Sequence, residues 1–200
     1  MIKNFVINKS IAIIKNSYSN YNQEQLEKIQ YGLEAIYLSL TKVFVIIILS
    51  IILNIFYETL ALLLFFNLLR FTGFGLHASK SWGCWISSVP TFIGLPLVCK
   101  HMTLSEYILI FIAVFSLINF LLFAPADTKK RPLIRKKRRI IYKVLTCFTG
   151  LIYLIVILYS KNDFIKNTLS FAMLIESLLI NPLTYKLFNT TYNNYKHYTN

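Results

Sequence analysis

A histidine at position 77 and a cysteine at position 84 are the residues of this 200-residue chain best suited to covalent chemistry. A thiolate is a strong nucleophile and a neighbouring imidazole can take the thiol's proton, so the two together form the minimal pair for acyl transfer. On one straight helix seven residues separate two Cα atoms by about 10.5 Å, too far for a direct hydrogen bond. The segment must therefore bend, and Gly73, Gly75 and Gly83 permit it, because glycine tolerates positive φ and close backbone approach. A Cys84 that opens a helix would have free N–H groups and the helix dipole beside it, which favour a thiolate and a developing oxyanion. No Asp or Asn lies nearby to orient the imidazole; a third member would be a backbone carbonyl, Ser81 or a distant side chain. Spacing alone also fits a histidine at an interface and a small buried thiol, since a seven-residue separation is not a specific motif.

The surrounding residues have two readings each. Arg70 suits a lipid-headgroup anchor or a clamp on a substrate carboxylate or carbonyl. Lys80, Ser81 and Ser87 suit interfacial packing or a direct role, and Trp82 and Trp85 suit interface anchoring or substrate stacking. Cys99 and Cys147 fall within or beside apolar runs and read as inert thiols. Three cysteines, widely spread, make neither a disulfide scaffold nor a zinc site, so no metal is expected.

The elements that must position these groups are set by composition. The chain is 56% hydrophobic and 14% charged, with a mean hydropathy of +0.57. Ordinary soluble domains carry roughly 25% charged residues, so there is too little polar surface here for a water-facing globule. An all-α integral membrane protein follows, one domain over residues 1–200. Six spans are predicted at 36–56, 57–76, 82–99, 107–124, 144–160 and 167–185, making a transmembrane bundle over 36–185. The third carries Pro90 and Pro96 and should be irregular. Ahead of them, residues 1–30 alternate lysines with apolar residues, as in an amphipathic helix on the inner membrane surface; no apolar run reaches signal-peptide length. Residues 125–139 concentrate eight Lys and Arg, which makes that loop cytoplasmic. Counting crossings from it puts both termini and the 70–82 connection on the same side, in the cell membrane with His77 and Cys84 near the cytoplasmic face. The net charge of +13 then reflects topology and anionic lipid rather than nucleic acid. Lys42 and Glu176, the charges deepest in the predicted spans, are expected to pair.

Two runs carry a family resemblance. Arg70, the Gly-Phe-Gly-Leu-His-Ala run of residues 73–78 and the stretch from Cys84 to Ser88 resemble the AgrB family, membrane endopeptidases of Gram-positive quorum sensing. The run Ala-Pro-Ala-Asp-Thr-Lys-Lys-Arg-Pro-Leu at 124–133 resembles the same family's basic loop, in matching order and distance. The resemblance implies that His77 and Cys84 are a catalytic pair cutting an AgrD-like propeptide near its C-terminal side. It further implies an acyl-enzyme thioester on Cys84 and its exchange for a thiolactone ring. Arg70, Gly75, Ser81 and Ser87 are then supporting residues; Lys129, Lys130 and Arg131 suit anionic lipid, the simplest partner of a basic loop, or docking of the acidic propeptide tail typical of the family. No cofactor is implied, because thiol acyl transfer needs neither metal nor nucleotide. A homodimer is implied by the same resemblance, although the spans contain no GxxxG motif. The rival class is a non-enzymatic component exporting a small peptide, with spans broken at Pro90, Pro96 and Pro182 lining its path.

Overall fold

The apolar runs fold as helices. The computed structural model describes residues 2–17, 21–76, 81–102, 104–128 and 132–198, with the backbone alone at 2, 3, 31, 35 and 81–84. In chain order the α-helices are α1 (Ile2–Ser17), α2 (Gln23–Ile52), α3 (Phe56–Gly73), α4 (Ser81–Val89), α5 (Leu95–His101), α6 (Glu106–Phe123), α7 (Lys136–Tyr159), α8 (Asp163–Ile180) and α9 (Pro182–Leu187). Among the described residues the only β-type pairing is an isolated bridge between Phe74 and Ala126. Three described helices, α2, α6 and α7, are long and apolar enough to cross a membrane.

Residues 1–49 and 50–200 form two compact units. The first holds α1 and most of α2. Helix α2 begins well ahead of the expected residue 36 because its polar start is capped: the Gln25 N–H donates to Asn22 Oδ1 at 2.8 Å, and the Asn22 N–H donates to Gln25 Oε1 at 3.0 Å. That reciprocal pair satisfies two donors that a helix start otherwise leaves open.

In the second unit α8 is central, packing against α3, α5, α6, α7 and α9. Leu69, Leu109, Phe120, Tyr153, Ile157, Leu169 and Met173 fill the space between them. Polar ties cross the same interior. Thr146 of α7 donates to the Thr72 hydroxyl of α3 at 2.9 Å, and Tyr153 of α7 donates to the Phe65 carbonyl at 3.0 Å. Asn167 of α8 donates to the Met102 carbonyl after α5 at 2.6 Å. Outward, by contrast, stand Leu60, Phe111, Leu122, Phe148 and Leu151. Apolar side chains outside and polar ties between helices inside are the arrangement that a lipid solvent favours.

The segment 82–99 is irregular where its prolines predict. Five residues, Pro90–Gly94, form a π-turn between α4 and α5, closed by the Leu95 N–H donating to the Pro90 carbonyl. A proline has no N–H to keep the α-helical ladder running, and the wider turn absorbs the break. The expected span 167–185 is interrupted too: α8 stops at Ile180, Asn181 caps α9 through the Leu183 N–H, and Pro182 opens that short helix. Finally, α7 starts at Lys136, so the second half of the basic run is the first turn of a helix rather than loop.

Candidate functional site

Helix α3 ends in a sharp turn. Phe74 has φ of 62° and Gly75 has φ of 83°, so the chain reverses just before position 77. Phe74 is a costly residue at positive φ; burial of its ring edge-on against Tyr142, with centroids 5.0 Å apart, compensates. Gly75 has no such alternative, since a Cβ there would stand 2.5 Å from Arg70 Nη1 and 2.8 Å from the Leu179 carbonyl.

Three backbone groups of this turn have partners in distant parts of the chain. The Gly75 N–H donates to the Ala126 carbonyl at 2.8 Å, and the Ala126 N–H donates to the Gly73 carbonyl at 3.0 Å. The Leu76 N–H donates to the Leu179 carbonyl of α8 at 2.9 Å. Arg70, in the last turn of α3, donates from Nη2 to the carbonyls of Gly75 and Leu76. Its Nη1 faces Glu176 Oε2 of α8 at 3.5 Å. The Glu176 side chain is fully buried and that of Arg70 is 13% exposed, so this is an interior ion pair, long for a hydrogen bond but strong in Coulomb attraction. The cation facing Glu176 is thus Arg70. Arg70 itself turns inward onto backbone carbonyls rather than outward to headgroups, because three acceptors converge on its guanidinium fork.

The second run is held as firmly. Asp127 is 1% exposed, and its carboxylate accepts from the backbone N–H groups of Leu133 at 3.2 Å, Asn194 at 2.8 Å and Tyr195 at 2.8 Å. The Tyr185 hydroxyl donates to the Ala126 and Asp127 carbonyls, and Tyr192 donates to the Phe123 carbonyl at 3.2 Å. Burial pushes the Tyr192 phenol up to about 12, which keeps it a neutral donor. Arg139 donates to the Leu133 carbonyl at 3.1 Å and lies 3.7 Å from the Tyr195 ring centroid. The chain after α9 therefore clasps both ends of the segment that carries the basic cluster.

Of the residues singled out from sequence, Arg70 and Gly75 meet at the turn after α3, and Ala126 of the second run joins them. His77, together with Lys129, Lys130 and Arg131, lies outside the described residues. Ser81 and Cys84 have their backbone in the first turn of α4, their side chains outside the description. Ser87 is exposed on α4, and its carbonyl accepts from Thr91 at 2.8 Å. Cys99 is a buried free thiol and Cys147 a half-buried one. Sequence reasoning missed Asp127, although it is the sole acid among residues 125–139, and a lone acid in a basic run is a signal that it serves backbone or cation.

Comparison with known proteins adds an independent line. The family model for accessory gene regulator B matches residues 7–180. The chain is 32% identical over 188 residues to a putative AgrB-like protein of Listeria monocytogenes serotype 4a (strain HCC23), covering 94% of this chain and 92% of that protein. It is 29% identical to a putative AgrB-like protein of Clostridium acetobutylicum, over 92% of this chain and 88% of that one. To accessory gene regulator protein B of Staphylococcus aureus (strain MRSA252) it is 29% identical over 84% of this chain and 88% of the other. No solved structure matches.

Proposed function

Because this chain belongs to the accessory gene regulator B family, we propose that it is a membrane-embedded cysteine endopeptidase of a quorum-sensing system, cutting the C-terminal part from an AgrD-like propeptide. His77 takes the proton of the Cys84 thiol. The thiolate attacks the scissile carbonyl carbon, the C–N bond breaks, and the leaving amine takes the proton from the imidazolium, which gives a thioester on Cys84. An internal thiol of the propeptide then gives its proton to His77 and attacks that thioester. A thiolactone forms, and the Cys84 thiolate recovers the proton. One thioester replaces another, so the exchange is nearly balanced in energy and depends on keeping water out.

The observation that carries this reading is the joining of two runs fifty residues apart in sequence, through the paired hydrogen bonds between Gly73, Gly75 and Ala126. That contact brings the backbone leading to His77 beside the backbone leading to Lys129, Lys130 and Arg131. A chemical pair and a basic dock for an acidic tail would then serve one substrate. Ser81, in the first turn of α4 with Cys84, is a supporting residue in this reading. The protein is read as six-spanning with both termini cytoplasmic, its N-terminal helix on the inner surface against anionic lipid, and as a homodimer.

Co-expression with the propeptide followed by mass spectrometry tests the assignment. Cleaved, cyclised peptide is expected from the parent. Cys84→Ser and His77→Ala should each lower it by at least a hundredfold with the protein still in the membrane. Persistence of cleavage in either variant would remove the catalytic assignment.

A further inference from the structure

We infer that Glu176 is a positioning residue for the site, acting through Arg70 to hold the backbone that delivers His77. The inference rests on the endopeptidase reading above, but its observations are separate from it. Arg70 Nη2 reaches the carbonyls of Gly75 and Leu76, the last two residues before position 77. A guanidinium reaching inward to those carbonyls is a buried cation, and Glu176 Oε2 at 3.5 Å is the anion that lets it stay there. Glu176 has no partner that would explain it otherwise: among the described residues Oε1 accepts no hydrogen bond, and it lies against Gly73, where a Cβ would come within 2.5 Å. The same stretch of α8 also supplies the Leu179 carbonyl to the Leu76 N–H. Helix α8 thus grips the turn twice, once through backbone and once through charge, from 106 residues away.

Loss of the carboxylate frees the guanidinium to leave for the interface, as long cationic side chains do, and Gly75 and Leu76 lose their donor. Propeptide binding by other surfaces would persist while the chemical step slows. Positioning therefore predicts a change in kcat with KM kept.

Two variants of the full-length protein, assayed in membranes with the propeptide, separate the outcomes. Arg70→Lys keeps a cation opposite Glu176, so the buried charges stay paired, yet a single ammonium cannot span one carboxylate and two carbonyls. It should cut kcat at least tenfold and leave KM within twofold. Glu176→Gln should do the same, whereas Glu176→Asp, which keeps the charge, should stay within threefold of the parent. Arg70→Lys cleaving at the parental rate overturns the inference, and this holds even where Glu176→Gln fails to accumulate. A loss appearing in KM alone also overturns it and assigns Arg70 to propeptide binding. Cys84→Ala in the same assay distinguishes the two levels: continued cleavage there defeats the endopeptidase reading itself, while a silent Cys84→Ala beside a fully active Arg70→Lys defeats only the positioning role.

Discussion

Asp127 sits in the most basic stretch of the chain, yet its carboxylate is occupied by three backbone N–H groups. A charged acceptor serving three buried donors is worth more than any one surface ion pair, because loss of it strands donors that water cannot reach. Asp127→Asn turns an amide N–H toward those donors. It should cost about 3 kcal/mol, a Tm lower by roughly 6–12 °C in detergent for a chain of this size. An unchanged Tm would show that the loop repairs itself. Gly75→Ala combines positive φ with a clash against Arg70, so its cost should be about 1–3 kcal/mol by the same measurement, whereas Gly32→Ala, with open space around it, should be neutral or slightly stabilising. At this scale the sequence shows which residues are chemically able, and hides their partners. Glu176 is legible as an expensive buried charge. Its pairing with Arg70 depends on which faces of α3 and α8 meet.

The elements were largely legible, because hydropathy and proline act locally. The runs at 107–124 and 144–160 became α6 and α7, and Pro90 produced a π-turn. Boundaries were less so. Helix α7 takes in Lys136, Lys137, Arg138 and Arg139, four cations at a helix start where the dipole opposes them. Arg139 offsets that by reaching back to the Leu133 and Ile134 carbonyls and stacking on Tyr195, contacts that no local pattern announces. The tail beyond α9 is the partner in this, which leads to a prediction. Truncation after Phe188 removes the Tyr192, Asn194 and Tyr195 contacts and should speed tryptic cutting after Lys129 and Lys130 at least fivefold in the solubilised protein, Arg131 being shielded by Pro132. Equal cutting rates would mean that the tail does not hold the basic segment.

For the whole molecule, the distribution of charge predicts orientation. In a chain whose Cys84, Cys99 and Cys147 are replaced, a single cysteine introduced at 135 should react with a membrane-impermeant thiol reagent only after the cells are opened. One at 161 should react from outside. The reverse pattern would invert the proposed topology. Helices α3 and α8, which carry the Arg70–Glu176 pair, stand outside the set long and apolar enough to cross by composition alone. Helix α8 instead buries Asn167, Thr168, Ser170, Glu176 and Ser177 at the centre of its unit. A segment surrounded by other helices does not need an apolar face for lipid, and its polar residues are the ones that bind the bundle together.

The amino-acid order by itself determined the helical class, the places where helices break and the candidate chemistry at 77 and 84, since hydropathy, proline and residue type are properties of short windows. Tertiary structure alone decided that α8 holds the turn after α3 and that the chain's last residues clasp the basic segment. Those depend on contacts between residues far apart in the chain, and no short window contains both partners.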